Sequence, residues 1–316
     1  MNIPNWNQKI HEIRLSRLGG RRALFAEFSR LGQFVAAGAA GREGRLYRTY
    51  GTHGETPQLQ EITMPEIAWE AATFRPELQL AETSGSQPWA TELALASGNR
   101  VLRFVLETAP RQVLLLPELS MPGAHCLSYS LDGQFLVAGG CEGHLKVWDL
   151  GSNQAEEHYS AHVADRSLTA VAVSPLRDEV FFATADGECY RHSGGNGPPE
   201  PMRAHHKGHY GLPEDWECYC MCATQAAPFV AFGGTGNIAW LYHAETRELV
   251  PVKTDLGGFI RKVACPTKDR LALFGEHGVE FWSLPRLQRL GSLWGPPDMR
   301  VLAARQFCST WYLVLS

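Results

Sequence analysis

A pattern of about 45 residues returns along nearly the whole chain. Such a period constrains the fold more than any other feature, because every copy must build the same small unit. The clearest copy is Ala124 to Leu150, AHCLSYSLDGQFLVAGGCEGHLKVWDL. It holds three short apolar alternations, at His125 to Tyr129, Phe135 to Gly139 and Leu145 to Trp148, parted by turns at Leu131-Asp132-Gly133-Gln134 and Cys141-Glu142-Gly143-His144. Period-two alternation with Gly and Asp between the runs predicts an antiparallel meander. Ala23 to Tyr50, Leu168 to His192, Glu217 to Tyr242 and Phe259 to Ser283 repeat the pattern. Ile67 to Glu107 repeats it around an insert at about Arg75 to Pro88, and Arg300 to Leu315 is a partial last copy. The residues closing each first strand are Phe28, Phe74, Tyr129, Val173, Ala223, Cys265 and Phe307, spaced 42 to 55 residues apart.

A meander of this kind has two apolar faces and cannot bury both alone. Stacking the copies radially buries them and leaves only short edges. The segment SLDGQFLVAGGCEGHLKVWDL resembles the WD-repeat β-propeller family, with Trp148-Asp149 where that family's repeat ends its third strand. Ala161-His162 and Gly208-His209 are similar to its Gly-His dipeptide, and Asp186-Gly187 to its turn between second and third strands. Only one copy carries a true Trp-Asp, several lack Gly-His, and Glu142 replaces the turn Asp. The resemblance implies an all-β propeller of four-stranded antiparallel blades, seven in number, forming one domain over residues 1–316. It also implies closure by pairing of N- and C-terminal strands. Gln8 to Leu15 alternates enough to supply the N-terminal strand, although Ile10, Ile13, Leu15 and Leu18 also permit a short helix. The C-terminal copy reaches Ser316 after two recognisable strands. The last blade therefore borrows two strands, has three, or is cut short.

Composition narrows the function. With 29 Lys and Arg against 33 Asp and Glu, a net charge of −4 and a pI near 6.3, the chain does not read as a surface built to neutralise many phosphates. No apolar run approaches the roughly 18 residues of a membrane helix. Met1 to Arg14 is polar and holds a Pro where a secretory leader needs an apolar centre, so the expected location is the cytoplasm. The eight Cys then read as small buried residues or free thiols.

No catalytic constellation stands out, and no cofactor is expected. Gly233-Gly234-Thr235-Gly236 lacks the Lys that a phosphate loop needs and reads as a tight turn. His205, His206, His209, Cys218, Cys220 and Cys222 are the densest group of zinc-donor residue types. Cys218, Cys220 and Cys222 alternate, however, which places them on one face of one strand as small packing residues, so no metal site is expected. The resemblance gives Trp148, Asp149, His162, Thr184 and Asp186 structural roles. In that family the loop His, a strand Thr, the turn Asp and the Trp of one repeat form a hydrogen-bonded relay. Here the Trp slot of the Thr184 copy falls near His192, so the relay is expected to be partial.

The resemblance implies one face where loops from fourth to first strands gather with loops from second to third strands, and the working surface is expected there. His205 to Trp216, HHKGHYGLPEDW, is the longest. Tyr210 and Trp216 are residue types that anchor protein interfaces, and Arg166, Lys207 and His209 add charge and hydrogen bonding. The expected function is a non-catalytic scaffold that binds one or more proteins. Two alternatives remain at this point. One is a metal-dependent hydrolase using acidic groups in the central channel. The other is an RNA- or chromatin-associated propeller using Arg203 and His205 to Lys207.

Overall fold

The computed structural model describes residues 10–14, 24–29, 32–38, 42–50, 58–76, 90–107, 113–151, 154–176, 179–194, 197–202, 212–213, 215–224, 228–267, 269–294, 300–307 and 310–315. Six sheets carry the four strands of a propeller blade. Blade 1 comprises Phe25–Phe28, Phe34–Gly38, Arg45–Tyr50 and Gln58–Ile62. Blade 2 comprises Ala71–Phe74, Ala90–Ser97, Arg100–Glu107 and Val113–Leu115, with Leu119–Ser120 pairing back on its third strand. Blade 3 comprises Ala124–Tyr129, Phe135–Gly140, His144–Asp149 and Glu156–His162. Blade 4 comprises Leu168–Val173, Val180–Thr184, Cys189–His192 and Glu200–Pro201. Blade 5 comprises Cys218–Ala223, Phe229–Gly234, Ile238–His243 and Leu249–Lys253. Blade 6 comprises Lys262–Thr267, Arg270–Phe274, Gly278–Ser283 and Arg289–Trp294.

The expectation of seven four-stranded blades is corrected to six. The last copy supplies Val301–Phe307 and Thr310–Leu315, and these join Ile10–Arg14 in a sheet of three strands. Ile10–Arg14 is a strand rather than a helix. It runs parallel to Thr310–Leu315, with Ile10 opposite Trp311 and Arg14 opposite Leu315. All other strand pairs among the described residues are antiparallel.

The core lies in the seams between sheets. Each apolar cluster is shared by two sheets that follow one another, as Phe181 and Phe232 meet between blades 4 and 5 at 5.9 Å. The three-stranded sheet shares one cluster with blade 6, through Phe281 and Leu313, and another with blade 1, through Val35 and Val314. The register explains the single Trp-Asp of the sequence. Trp148 pairs with Leu136 one step beyond the closing residue Tyr129. The matching positions in the other blades are Tyr47, Phe104, His192, Tyr242 and Trp282. Each packs toward the preceding sheet: Trp148 against Ala94 and Met121 of the blade 2 side, Tyr242 on Phe181, and His192 stacked on Tyr159 at 5.7 Å. The repeat therefore requires a flat side chain that fills a seam, and Trp is one of several that do so.

Candidate functional site

Loops from second to third strands and from fourth to first strands meet on one face. Close backbone approach selects glycine there. A Cβ on Gly143, whose φ is +70°, would lie 1.7 Å from the Ala164 carbonyl oxygen, and one on Gly234 would lie 1.7 Å from that of Glu217. Val163 N–H donates to Gly143 and Ile260 N–H to Gly234, which fixes each incoming loop on the blade before it.

A recurring bulge then decides what the face presents. In blades 3, 4 and 5 the first strand skips one residue against its partner, at His125, Thr169 and Tyr219, and all three are exposed. Tyr219 is 38% and Phe259 47% exposed, and their rings meet edge to face at 5.9 Å. The Tyr219 hydroxyl donates to the Glu217 carboxylate, which raises the phenol pKa, and the Glu217 N–H donates to Thr235 Oγ1 at 2.9 Å. Arg261 and Arg300 both reach Glu276, at 3.3 and 3.6 Å. Leu24, at the start of blade 1, is 55% exposed. The face is thus a mixed surface of arginines and glutamates around an aromatic pair.

The residues expected from sequence fall differently. Arg166 is exposed in the loop entering blade 4. Lys207, His209 and Tyr210, like Arg203, His205 and His206, lie outside the described residues. Trp216 is only 9% exposed and packs with Leu212, Cys218, Phe232 and Leu249, so its ring fills the seam between blades 4 and 5 rather than facing a partner. Thr184 donates to Asp186 at 2.5 Å, and His192 occupies the Trp slot, but His162 is exposed and packs on His144 at 5.6 Å. The relay is therefore reduced to its Thr184–Asp186 bond. Trp148 is buried, and the Asp149 carboxylate accepts the Gly151 N–H at 2.7 Å.

The first strands of the six blades and Val301–Phe307 of the three-stranded sheet surround a central cavity of about 270 Å³. Its lining is mostly small or apolar, with Ala72, Val171, Ala264 and Ala303 among the wall residues. Glu27 and Lys262 are its charged residues, and they pair with each other at 2.6 Å while Lys262 Nζ also donates to the Ala26 carbonyl at 2.5 Å. Cys222 of blade 5 and Cys265 of blade 6 also line it, with their sulfurs 4.0 Å apart. That contact and burial hold the Cys222 thiol well above its ordinary pKa. The Tyr219 bulge corrects the expectation that three cysteines share a face. It turns Cys218 into the seam with blade 4 and leaves Cys220 and Cys222 toward blade 6. Among the described residues no three His, Cys, Asp or Glu side chains are grouped to hold a metal ion, and no helix is long and apolar enough to cross a membrane.

Neither a family model nor a curated protein sequence matches the chain. Solved structures do. Chaetomium thermophilum Sqt1 bound to the N-terminus of the ribosomal protein L10 is 17% identical, with a TM-score of 0.60 over 87% of this chain and 76% of that one. A second crystal structure of Chaetomium thermophilum Sqt1 gives 0.58 at 17% identity, over 87% and 74%. A chain of the mitotic checkpoint complex gives 0.50 at 16% identity, over 80% and 86%. At these identities the likeness shows the fold alone, a β-propeller.

Proposed function

We propose that this protein is a non-catalytic scaffold, working in the cytoplasm, that holds a protein partner on the face bearing the Tyr219–Phe259 pair. In this reading residues 1–316 act as one domain, a ring closed where Ile10–Arg14 joins Thr310–Leu315. The observation that carries the proposal is the pair itself: two large aromatic side chains lie exposed and in contact, Tyr219 at the bulge in the first strand of blade 5 and Phe259 on the loop entering blade 6. Arg166, exposed on the loop entering blade 4, extends the same surface, and Lys207, His209 and Tyr210, outside the described residues, are further partner contacts in this reading by residue type. Sqt1 with a ribosomal protein segment and the checkpoint complex are solved assemblies of similar propellers with proteins, which agrees with a protein partner here. The channel does not favour a hydrolase, since its lining carboxylate, Glu27, is committed to Lys262. Nor does the face favour RNA, since Arg261 and Arg300 are answered by Glu276.

The experiment is affinity enrichment with the wild-type chain, with Tyr219→Ala/Phe259→Ala and with Arg166→Glu, each first shown to unfold at the wild-type temperature. A stoichiometric protein lost in the double variant supports the proposal. The same protein retained undiminished by both variants places the interface elsewhere.

A further inference from the structure

We propose that Cys222 and Cys265 form a site for one soft monovalent metal ion of the Cu(I) type, held between the two sulfurs at the wall of the central channel. The two thiols come from first strands of neighbouring blades and already touch, 4.0 Å apart. Two metal–thiolate bonds of about 2.3 Å laid end to end span about 4.6 Å, so the ion needs an opening of roughly half an ångström. A disulfide of about 2.05 Å needs the sulfurs to close by roughly 2 Å. The seam between blades 5 and 6 is packed with Leu241, Ile260, Val263 and Leu273, which resists the larger movement. Separation therefore favours a bridging ion over a bond between the sulfurs.

The donor set selects the ion. Two thiols offer soft sulfur ligands at low coordination number. Zinc in a structural site requires four ligands, and no third His, Cys, Asp or Glu among the described residues joins the pair. A soft d¹⁰ monovalent ion is satisfied by two. On binding, each thiol releases its proton to solvent and each sulfur donates one lone pair to the metal. No electron is transferred. The resulting bis-thiolate carries a single negative charge, and the Lys262 ammonium lines the same cavity.

Entry separates this pair from the other touching thiols. Cys189 and Cys218 also interact, but both are buried in the seam between blades 4 and 5 and neither lines the cavity. Cys222 and Cys265 are half-buried and open to it.

The reduced full-length chain is titrated with Cu(I) under anaerobic conditions in competition with bicinchoninate. The expected result is withdrawal of one equivalent, with X-ray absorption showing a low-coordinate site of sulfur neighbours alone. Cys222→Ser and Cys265→Ser should each weaken Cu(I) binding by roughly a hundredfold or more, beyond what loss of an outer partner costs, while Cys189→Ser keeps the equivalent. Failure to compete with bicinchoninate, nitrogen or oxygen neighbours in the absorption spectrum, or unchanged affinity in folded Cys222→Ser would overturn the site. A chain that takes up no copper but loses two hydrogens to a mild disulfide reagent would also overturn it. The absorption spectrum of the wild-type chain decides the matter even where a variant fails to fold.

Discussion

Truncating Glu92 tests the seam between blades 2 and 3 more sharply than any apolar change. Its carboxylate, 7% exposed, accepts Arg103 Nε at 2.5 Å, the Tyr129 hydroxyl at 2.9 Å and Arg75 Nη1 at 3.1 Å. Arg75 continues to the Gly133 carbonyl at 2.7 Å, so one carboxylate ties two strands of blade 2 to the first turn of blade 3. Glu92→Ala leaves the Arg103 guanidinium, 8% exposed, without its counter-charge. Breaking a buried pair this way costs about 3–5 kcal/mol. At about 2 °C per kcal/mol for a large domain, thermal unfolding should fall by roughly 6–10 °C. Glu92→Leu/Arg103→Leu should cost no more than the single change, because the stranded charge goes with its partner. Differential scanning calorimetry of the three proteins is the assay. A single variant within about 1 kcal/mol of wild type, or a double variant clearly worse than the single, would refute the reasoning.

The same network predicts a pH dependence. Burial pushes the Glu92 pKa up, but Arg103, Tyr129 and Arg75 together hold it below its ordinary value. A depressed folded pKa stabilises the protein above the unfolded value of about 4.5 and is lost as pH falls through the folded value, so the gap between wild type and Glu92→Gln should narrow below pH 4.5 in acid-unfolding curves. Trp148→Ala removes a buried indole from the cluster with Met121 and Leu136 and should cost about 3–5 kcal/mol in denaturant titrations; unchanged unfolding would show the seam assignment wrong. Burial raises the Cys126 pKa to about 12, so iodoacetamide at pH 8 should leave this thiol unmodified in the folded chain and modify it once guanidinium is added, read by peptide mass spectrometry. Gly143→Ala places a methyl group against the Ala164 carbonyl at a positive φ and should lower the unfolding temperature, whereas Gly236→Ala, with open space around it, should lower it less.

The residues that carry the repeat were legible in sequence because they obey a period. Phe28, Phe74, Tyr129, Val173 and Ala223 each end up opposite the matching residue of the second strand, Val35, Leu93, Leu136, Val180 and Val230. What periodicity does not encode was missed. A bulge inserts one residue without changing composition, so the split between Cys218 and Cys222 left no trace in the alternation. Trp216 reads as an interface anchor from its type, yet its ring packs in the seam against Phe232 and Leu249, and beside Gly234, where a Cβ would lie 2.8 Å from it. The pairings of Tyr219 with Phe259 and of Cys222 with Cys265 join separate repeats. The third-strand aromatics hid for another reason: Tyr47, Phe104, His192, Tyr242 and Trp282 share a shape rather than an identity.

One backbone irregularity links the binding face to the channel. In a regular strand Cys218 and Cys220 would point the same way, and Tyr219 would point to the opposite side. With the bulge, Tyr219 leaves the ladder and reaches Phe259 on the loop entering blade 6, while the register resumes with Cys220 and Cys222 turned to that same blade. The rim contact between blades 5 and 6 therefore depends on one extra residue, whereas the ladder on either side of it runs on as if that residue were absent. Deleting Tyr219 would differ in kind from Tyr219→Ala. The substitution keeps the register and removes one ring from the face. The deletion removes the extra residue, so Cys220 would follow Cys218 directly, and the alternation of a regular strand would keep Cys218 toward blade 4 and Cys220 and Cys222 toward blade 6. A partner lost in both variants, with Cu(I) uptake kept in both, is the pattern this geometry requires.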